Sequence, residues 1–323
     1  MKQNVDVSIV LELDNTCLHH SELNEKISLQ LLSLNKQIAQ SKYQFEILIC
    51  FSNKTINEAL LKNINNLAEN KFSLSQLKLL DFNDASYYQL KNYGADSSQG
   101  NIIIFLDSDV TCNTSWLENI LRPFQENEHI QVVAGRTELE ALSTIQQSQT
   151  LVTFFDNYKK IESMSITENF FANNVAFKKE LFQKYKFPIN HKTTRTSCTQ
   201  LAINLSRDGI DIYKQHHAIV HHRSAHNLSE LLFRSFIEGR DLTFNKLEKH
   251  KSLFKKASIP IKIFKNKFRL VTDRVGLLKT HSHTSTISLA SLLIAYLYIF
   301  IMCISASFTL VLPKFMHSRF LKI

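Results

Sequence analysis

Apolar and polar positions follow two periods along the first third of the chain. Val5 to Leu11 and Phe45 to Phe51 are short runs rich in β-branched and aromatic residues, and between them Leu23, Ile27, Leu31, Leu34 and Ile38 recur at helical spacing. Such spacing lines one face of an α-helix, so the pattern predicts a strand, a helix and a strand. It continues with a helix over Asn57 to Asn70, a strand over Leu77 to Asp81, a helix over Ala85 to Ser98 and a wholly apolar strand over Ile102 to Leu106. Strands alternating with helices predict a mainly parallel sheet whose central strands are buried on both faces. Beyond this the rhythm loosens. Helices are expected over Ser115 to Phe124, Leu151 to Ile161, from Lys178 and over Thr199 to Arg207, with strands over Gln131 to Ala134, Ala172 to Phe177 and Asp211 to Val220. With no linker between the halves, residues 1–110 and 111–240 are expected to form one continuous α/β domain.

The end of the chain reads differently. From Thr284 to Pro313 no residue is charged, and the stretch Leu289 to Leu312 exceeds the ~20 apolar residues that cross a bilayer. A transmembrane helix over 284–313 is expected, followed by a short tail over 314–323. The charge pattern supports this. The formal net charge is +9, and the stretch Lys246 to Lys279 alone holds 11 Lys or Arg against 2 Asp or Glu, so the rest of the chain is neutral on balance. Within it, Lys255 to Arg274 interleaves cations with Ile259, Ile261, Ile263, Phe264, Phe268 and Leu270. Residues 241–283 therefore read as a basic amphipathic juxtamembrane segment rather than a nucleic-acid surface. The richer cationic flank precedes the apolar stretch, which places the preceding domain in the cytoplasm of a single-pass protein of the cell membrane. Met1 to Asp6 carries no signal-peptide pattern. The five cysteines, Cys17, Cys50, Cys112, Cys198 and Cys303, form no Cys-x-x-Cys pair, in keeping with a reducing compartment.

Candidate chemistry concentrates where the apolar strand ends. Asp107-Ser108-Asp109 follows Ile102 to Leu106 directly, and ligands of parallel sheets bind beyond the carboxyl ends of the strands. Two carboxylates there can offer oxygens to Mg²⁺ or Mn²⁺, cations that bridge diphosphates. His216, His217, His221, His222 and His226 form a second cluster, without the companion Cys or acidic spacing of a structural zinc site.

Val7 to Leu11, Phe45 to Cys50, Lys91 to Gly94 ahead of Gly100 to Asp109, Trp116-Leu117 and Asn174 to Glu180 stand in the order and spacing of a known family, and over about residues 5–240 the chain resembles family 2 glycosyltransferases. The resemblance implies a GT-A fold, a nucleotide-sugar donor, a divalent cation and inverting transfer to a glycan or lipid-linked acceptor. It implies Asp107 and Asp109 as the diphosphate and metal site, with His221 joining the metal. It further implies Lys91 and Asn92 near the donor and Asn174 at the floor of the acceptor site. Two positions depart from the family. Phe51-Ser52-Asn53-Lys54 stands where acidic residues usually recognise the base, and Ser197-Cys198 stands where a Glu-Asp pair supplies the general base. A thiol is mostly protonated at neutral pH, so the departures favour an alternative, a non-catalytic GT-A-like partner in a glycan-assembly complex. A nucleotidyltransferase would need a glycine-rich loop after the first strand, and Leu11 to Thr16 has no glycine.

Overall fold

The computed structural model describes residues 5–13, 20–52, 58–71, 77–139, 143–154, 163–189, 193, 196–249, 256–281 and 287–320. The strands are β1 (Val7–Glu12), β2 (Phe45–Phe51), β3 (Leu77–Asp81), β4 (Ile102–Asp107), β5 (Val110–Cys112), β6 (Val132–Leu139), β7 (Met164–Thr167), β8 (Asn174–Lys178) and β9 (Ile212–His222). The first seven helices are α1 (His20–Ala39), α2 (Glu58–Lys71), α3 (Tyr87–Ser97), α4 (Trp116–Glu126), α5 (Thr144–Val152), α6 (Lys179–Tyr185) and α7 (Ser197–Arg207). Two compact units are present, the first comprising Met1–Thr137, Glu162–Ile189 and Ser197–His222.

In the first unit the described strands form one nine-stranded sheet in the order β3-β2-β1-β4-β8-β6-β9-β5, with β7 paired to β9. The first four strands run parallel, and β8 joins β4 antiparallel, Ile104 facing Ala176. β1 and β2 are buried along their whole length, as is β4 beyond Ile102, because helices cover both faces. On one face Ile27, Leu31 and Leu34 of α1 pack with Ile9, Ile47 and Trp116. On the other, Leu90 and Ala95 of α3 pack with Val10, Leu48 and Phe105. Each of the fully buried Val, Leu, Ile and Phe side chains among them contributes about 1.5–3 kcal/mol. Gly94 lets α3 approach closely, since a Cβ there would meet Val10 Cγ1 at 2.5 Å and Cys50 Sγ at 2.6 Å.

One expectation changes. A helix expected over Leu151 to Ile161 instead occupies Thr144–Val152, because Ser143 and Gln146 form a capping box that starts it upstream; residues 155–161 lie outside the described part. The first unit ends at His222, and Arg223 onward belongs to the second unit, with Glu138–Ile161 and Asn190–Thr196. That unit contains α5, α8 (Leu228–Lys249), α9 (Ile259–His281), α10 (Leu289–Val311) and α11 (Pro313–Phe320). It has its own core, in which Leu231, Ile263, Val271, Tyr298 and Met302 cluster with Leu151. α10 is long and apolar enough to cross a membrane.

Candidate active site

The parallel register brings the carboxyl ends of three strands into line, with Glu12 of β1 opposite both Cys50 of β2 and Asp107 of β4. Asp107 closes β4, a two-residue turn follows, and β5 then pairs antiparallel with the end of β9, Val110 against His222. That return brings Asp109 to His222, whose Nε2 lies 3.5 Å from Asp109 Oδ2. Ligand atoms of Asp107, Asp109 and His222 all lie within 4.8 Å of one another.

Asp107 is held from behind. Lys91, fully buried on α3, places Nζ 2.8 Å from Asp107 Oδ1 and donates to the Leu106 carbonyl at 2.9 Å. Tyr87 donates its hydroxyl to the same Oδ1 at 2.6 Å, and Gln30 of α1 donates to the Asp107 carbonyl at 2.9 Å. Burial, reinforced by the Asp107 charge, holds the Tyr87 hydroxyl well above its ordinary pKa, so it remains a donor at neutral pH. Asp109 is only 3% exposed, and its Oδ1 has no hydrogen-bond partner among the described residues. A buried carboxylate oxygen in that state is costly unless something satisfies it. Two carboxylates and an imidazole form a donor set suited to Mn²⁺ and also open to Mg²⁺, so the residues fit a divalent cation.

The other expected site residues divide. His221 faces Thr111 in the ladder and, by strand alternation, projects to the opposite side from His222. The histidine beside the acidic pair is therefore His222, one residue further on. Lys91 meets Asp107 itself. Asn92 spends its amide on the backbone of Phe187, donating at 2.9 Å and accepting at 3.0 Å, which clamps that loop to α3. Asn174 is wholly buried; it donates to the Arg136 and Ala218 carbonyls and accepts from Trp116 Nε1, each at 2.9 Å, so it joins strands rather than flooring a cleft. Cys198 lies in the first turn of α7 with Sγ 3.3 Å from the Tyr88 hydroxyl. Burial pushes its pKa to about 11, so the thiol is neutral at pH 7 and is not a proton acceptor there. Asp208, also near this position in sequence, is engaged by Tyr185 and Arg207 at the surface, and His191 lies outside the described residues.

Three participants escape the sequence reading. Tyr87 and Gln30 become visible only once α3 and α1 flank β4. Glu12 carries the one available signal, an acid closing an otherwise apolar strand.

Residues 25–188, about half the chain, match glycosyl transferase family 2. No curated protein matches the sequence. Among solved structures, the mannosyltransferase PcManGT from Pyrobaculum calidifontis, in complex with GDP-Man and Mn²⁺, is similar at a TM-score of 0.58 and 13% identity, over 97% of this chain and 89% of that one. GalNAc-T7 with UDP, GalNAc and Mn²⁺ is similar at a TM-score of 0.53 and 12% identity; the match covers 88% of this chain and 58% of that longer one. At these identities the likeness establishes the GT-A arrangement of sheet and helices.

Proposed function

The chain belongs to glycosyl transferase family 2, and from that premise we propose that it transfers a sugar from a nucleotide-sugar to a glycan or lipid-linked acceptor at a membrane. Transfer proceeds with inversion, and Asp107, Asp109 and His222 hold Mn²⁺ or Mg²⁺. The observation that carries this reading is the buried Asp109 Oδ1 without a partner, facing a second carboxylate and an imidazole at the carboxyl edge of the sheet. A cation bound there supplies positive charge against the donor diphosphate. The chain's own residues prepare the place: Lys91 and Tyr87 converge on one oxygen of Asp107 and fix that carboxylate in a single orientation. The related structures carry GDP-Man or UDP with Mn²⁺, which supports a nucleotide-sugar donor and favours Mn²⁺. The apolar α10 and the basic stretch before it support attachment to a membrane, with the sheet domain on the cytoplasmic side.

Thermal denaturation of the full chain with a panel of nucleotide-sugars, with and without Mn²⁺, tests the reading. A donor at a hundred times its Kd stabilises the native state by about 2.7 kcal/mol, and the stabilisation should require the metal. Asp109→Asn should abolish it, the metal-dependent shift being read against the variant's own unliganded melting temperature. No metal-dependent shift with any nucleotide, in wild type and variant alike, would defeat the proposal. The second reading, a non-catalytic partner that keeps the fold, rests on the neutral Cys198 thiol where the family places its base, and that negative result would favour it.

A further inference from the structure

The second unit sorts its side chains as lipid would require. α10 buries Ser291, Ala295, Ser305, Ala306 and Thr309, each at 0% exposure, and turns Leu289 and Val311 outward at 72% and 75%, with Leu293, Phe300 and Phe308 along the same face. A helix on a water-facing surface does the reverse. The inner face also holds Tyr298, Ile299 and Met302, so what distinguishes the helix is an outer face made largely of large apolar residues, as on a helix whose free face meets acyl chains.

Its neighbours fix how that face can meet them. α8 follows α10: Ser235 and Ser305 donate across to the Tyr298 and Phe236 carbonyls at 2.5 Å and 2.6 Å, and a Cβ at Gly239 would strike the Met302 backbone. α9 runs the opposite way along α10, with Cys303 Sγ 3.6 Å from the Pro260 carbonyl at one end and Phe268 stacked on Tyr296, centroids 5.2 Å apart, towards the other. The residues of α9 in between are level with the middle of α10. They present two adjoining outward stripes. Ile261, Phe264 and Phe268 continue the apolar face of α10, whereas Lys262, Lys265 and Arg269 form an exposed cationic rim beside it. If α10 stood upright across a bilayer, that rim would sit at the depth of the hydrocarbon centre, where exposed cations are strongly disfavoured. With α10 lying flat, the same cations reach lipid phosphates and the apolar face alone is immersed.

We propose that α9 and α10 together form a monotopic docking face for an anionic phospholipid leaflet, with α10 in the plane of the membrane and the chain end on the same side as the sheet domain. This rests on the membrane attachment proposed above and replaces the single pass expected from the sequence with attachment to one leaflet. The occupant follows from charge complementarity, since Lys262, Lys265 and Arg269 lie exposed beside that face and the sequence from Lys246 to Lys279 carries a net +9.

The test uses the full chain, tagged after Ile323, synthesised in the presence of sealed vesicles of phosphatidylcholine with or without about a third phosphatidylserine. The expected result is flotation with the anionic vesicles and a tag that added protease removes without detergent. The triple variant Lys262→Gln, Lys265→Gln, Arg269→Gln, all surface changes, should lower partitioning on the order of a hundredfold. A protease-protected tag would mean that α10 crosses, and would overturn the in-plane assignment while leaving membrane attachment intact. Partitioning unchanged in the triple variant would also overturn it. Failure to float with vesicles of either composition would defeat the attachment itself.

Discussion

Asp109 Oδ1 and Cys198 Sγ are both buried in the first unit, and burial acts on them in opposite ways. An unpartnered carboxylate oxygen withheld from water costs about 1–3 kcal/mol, a penalty that a divalent cation removes. The thiol at Cys198 is instead pushed to about 11 by burial and stays protonated, with Tyr88 at 3.3 Å. A carboxyl group at that position would be ionised much further down the pH scale, and the Tyr88 hydroxyl could donate to it. Cys198→Asp should therefore raise donor hydrolysis or transfer by at least about a hundredfold, the lower range for a positioned general base. Rate measurements on a variant that still shows metal-dependent donor binding check this, and an unchanged rate would remove Cys198 from the base position. At this scale the sequence was legible where position along a strand decides the matter. Asp107 and Asp109 are legible as candidates because they follow an apolar run at the edge where ligands bind. Asn92 and Asn174 could not, since the groups that consume their amides, at Phe187, Ala218 and Arg136, are distant in sequence. His222 rather than His221 lies beside the two aspartates, because strand alternation makes a shift of one residue a change of face.

Elements buried on both faces were the easiest to read. β1, β2 and β4 match the expected apolar runs closely, whereas β5 and β7, of 3 and 4 residues, exist mainly because β9 offers them an edge to pair with. The parallel strands are also joined by one buried acid whose role the pattern conceals. Glu46 of β2 accepts from the Ser8 hydroxyl at 2.6 Å, the Gln99 amide at 2.5 Å and Lys78 at 2.7 Å, and Ser8 accepts in turn from the Gly100 amide at 2.9 Å. Gly100 is required at this junction, because a Cβ would lie 2.6 Å from the Ser8 nitrogen. Burial by itself would raise the Glu46 pKa, but the bonds from Lys78, Ser8 and Gln99 outweigh it and hold the group below its ordinary 4.5. The folded state thus binds this proton less readily than the unfolded chain. The corresponding stability is present above about pH 4.5 and is lost as pH falls through the lowered folded value. Urea unfolding between pH 3 and pH 7 should show that decline, and Glu46→Gln should flatten it while costing about 2 kcal/mol at neutral pH. A variant that kept the wild-type pH slope would show that other carboxylates are responsible.

Across the whole molecule, composition marked the two kinds of surface but not the division between units. The basic stretch and the apolar run were plain in the sequence, while the boundary at His222 was hidden because α8 has no linker before it and finds its core with α10. Charge is segregated in the same way, since the net +9 of the chain is matched by the +9 between Lys246 and Lys279 and the remainder sums to zero. The proposed membrane contact is consequently made by exposed cations, whereas the proposed metal site is built from Asp107 and Asp109, both buried. Salt acts unequally on these, because exposed charges are screened within a Debye length that shrinks from ~10 Å at 0.1 M towards ~4 Å at 0.5 M, while buried pairs are screened much less. Raising salt over that range should lower partitioning onto anionic vesicles at least about tenfold and leave the melting shift given by Mn²⁺ and nucleotide nearly unchanged. Both can be read on one preparation of the full chain, by flotation and by thermal denaturation. If the two responses instead fell together, the basic stretch would be contributing to donor binding, and the assignment of separate roles to the two units would fail.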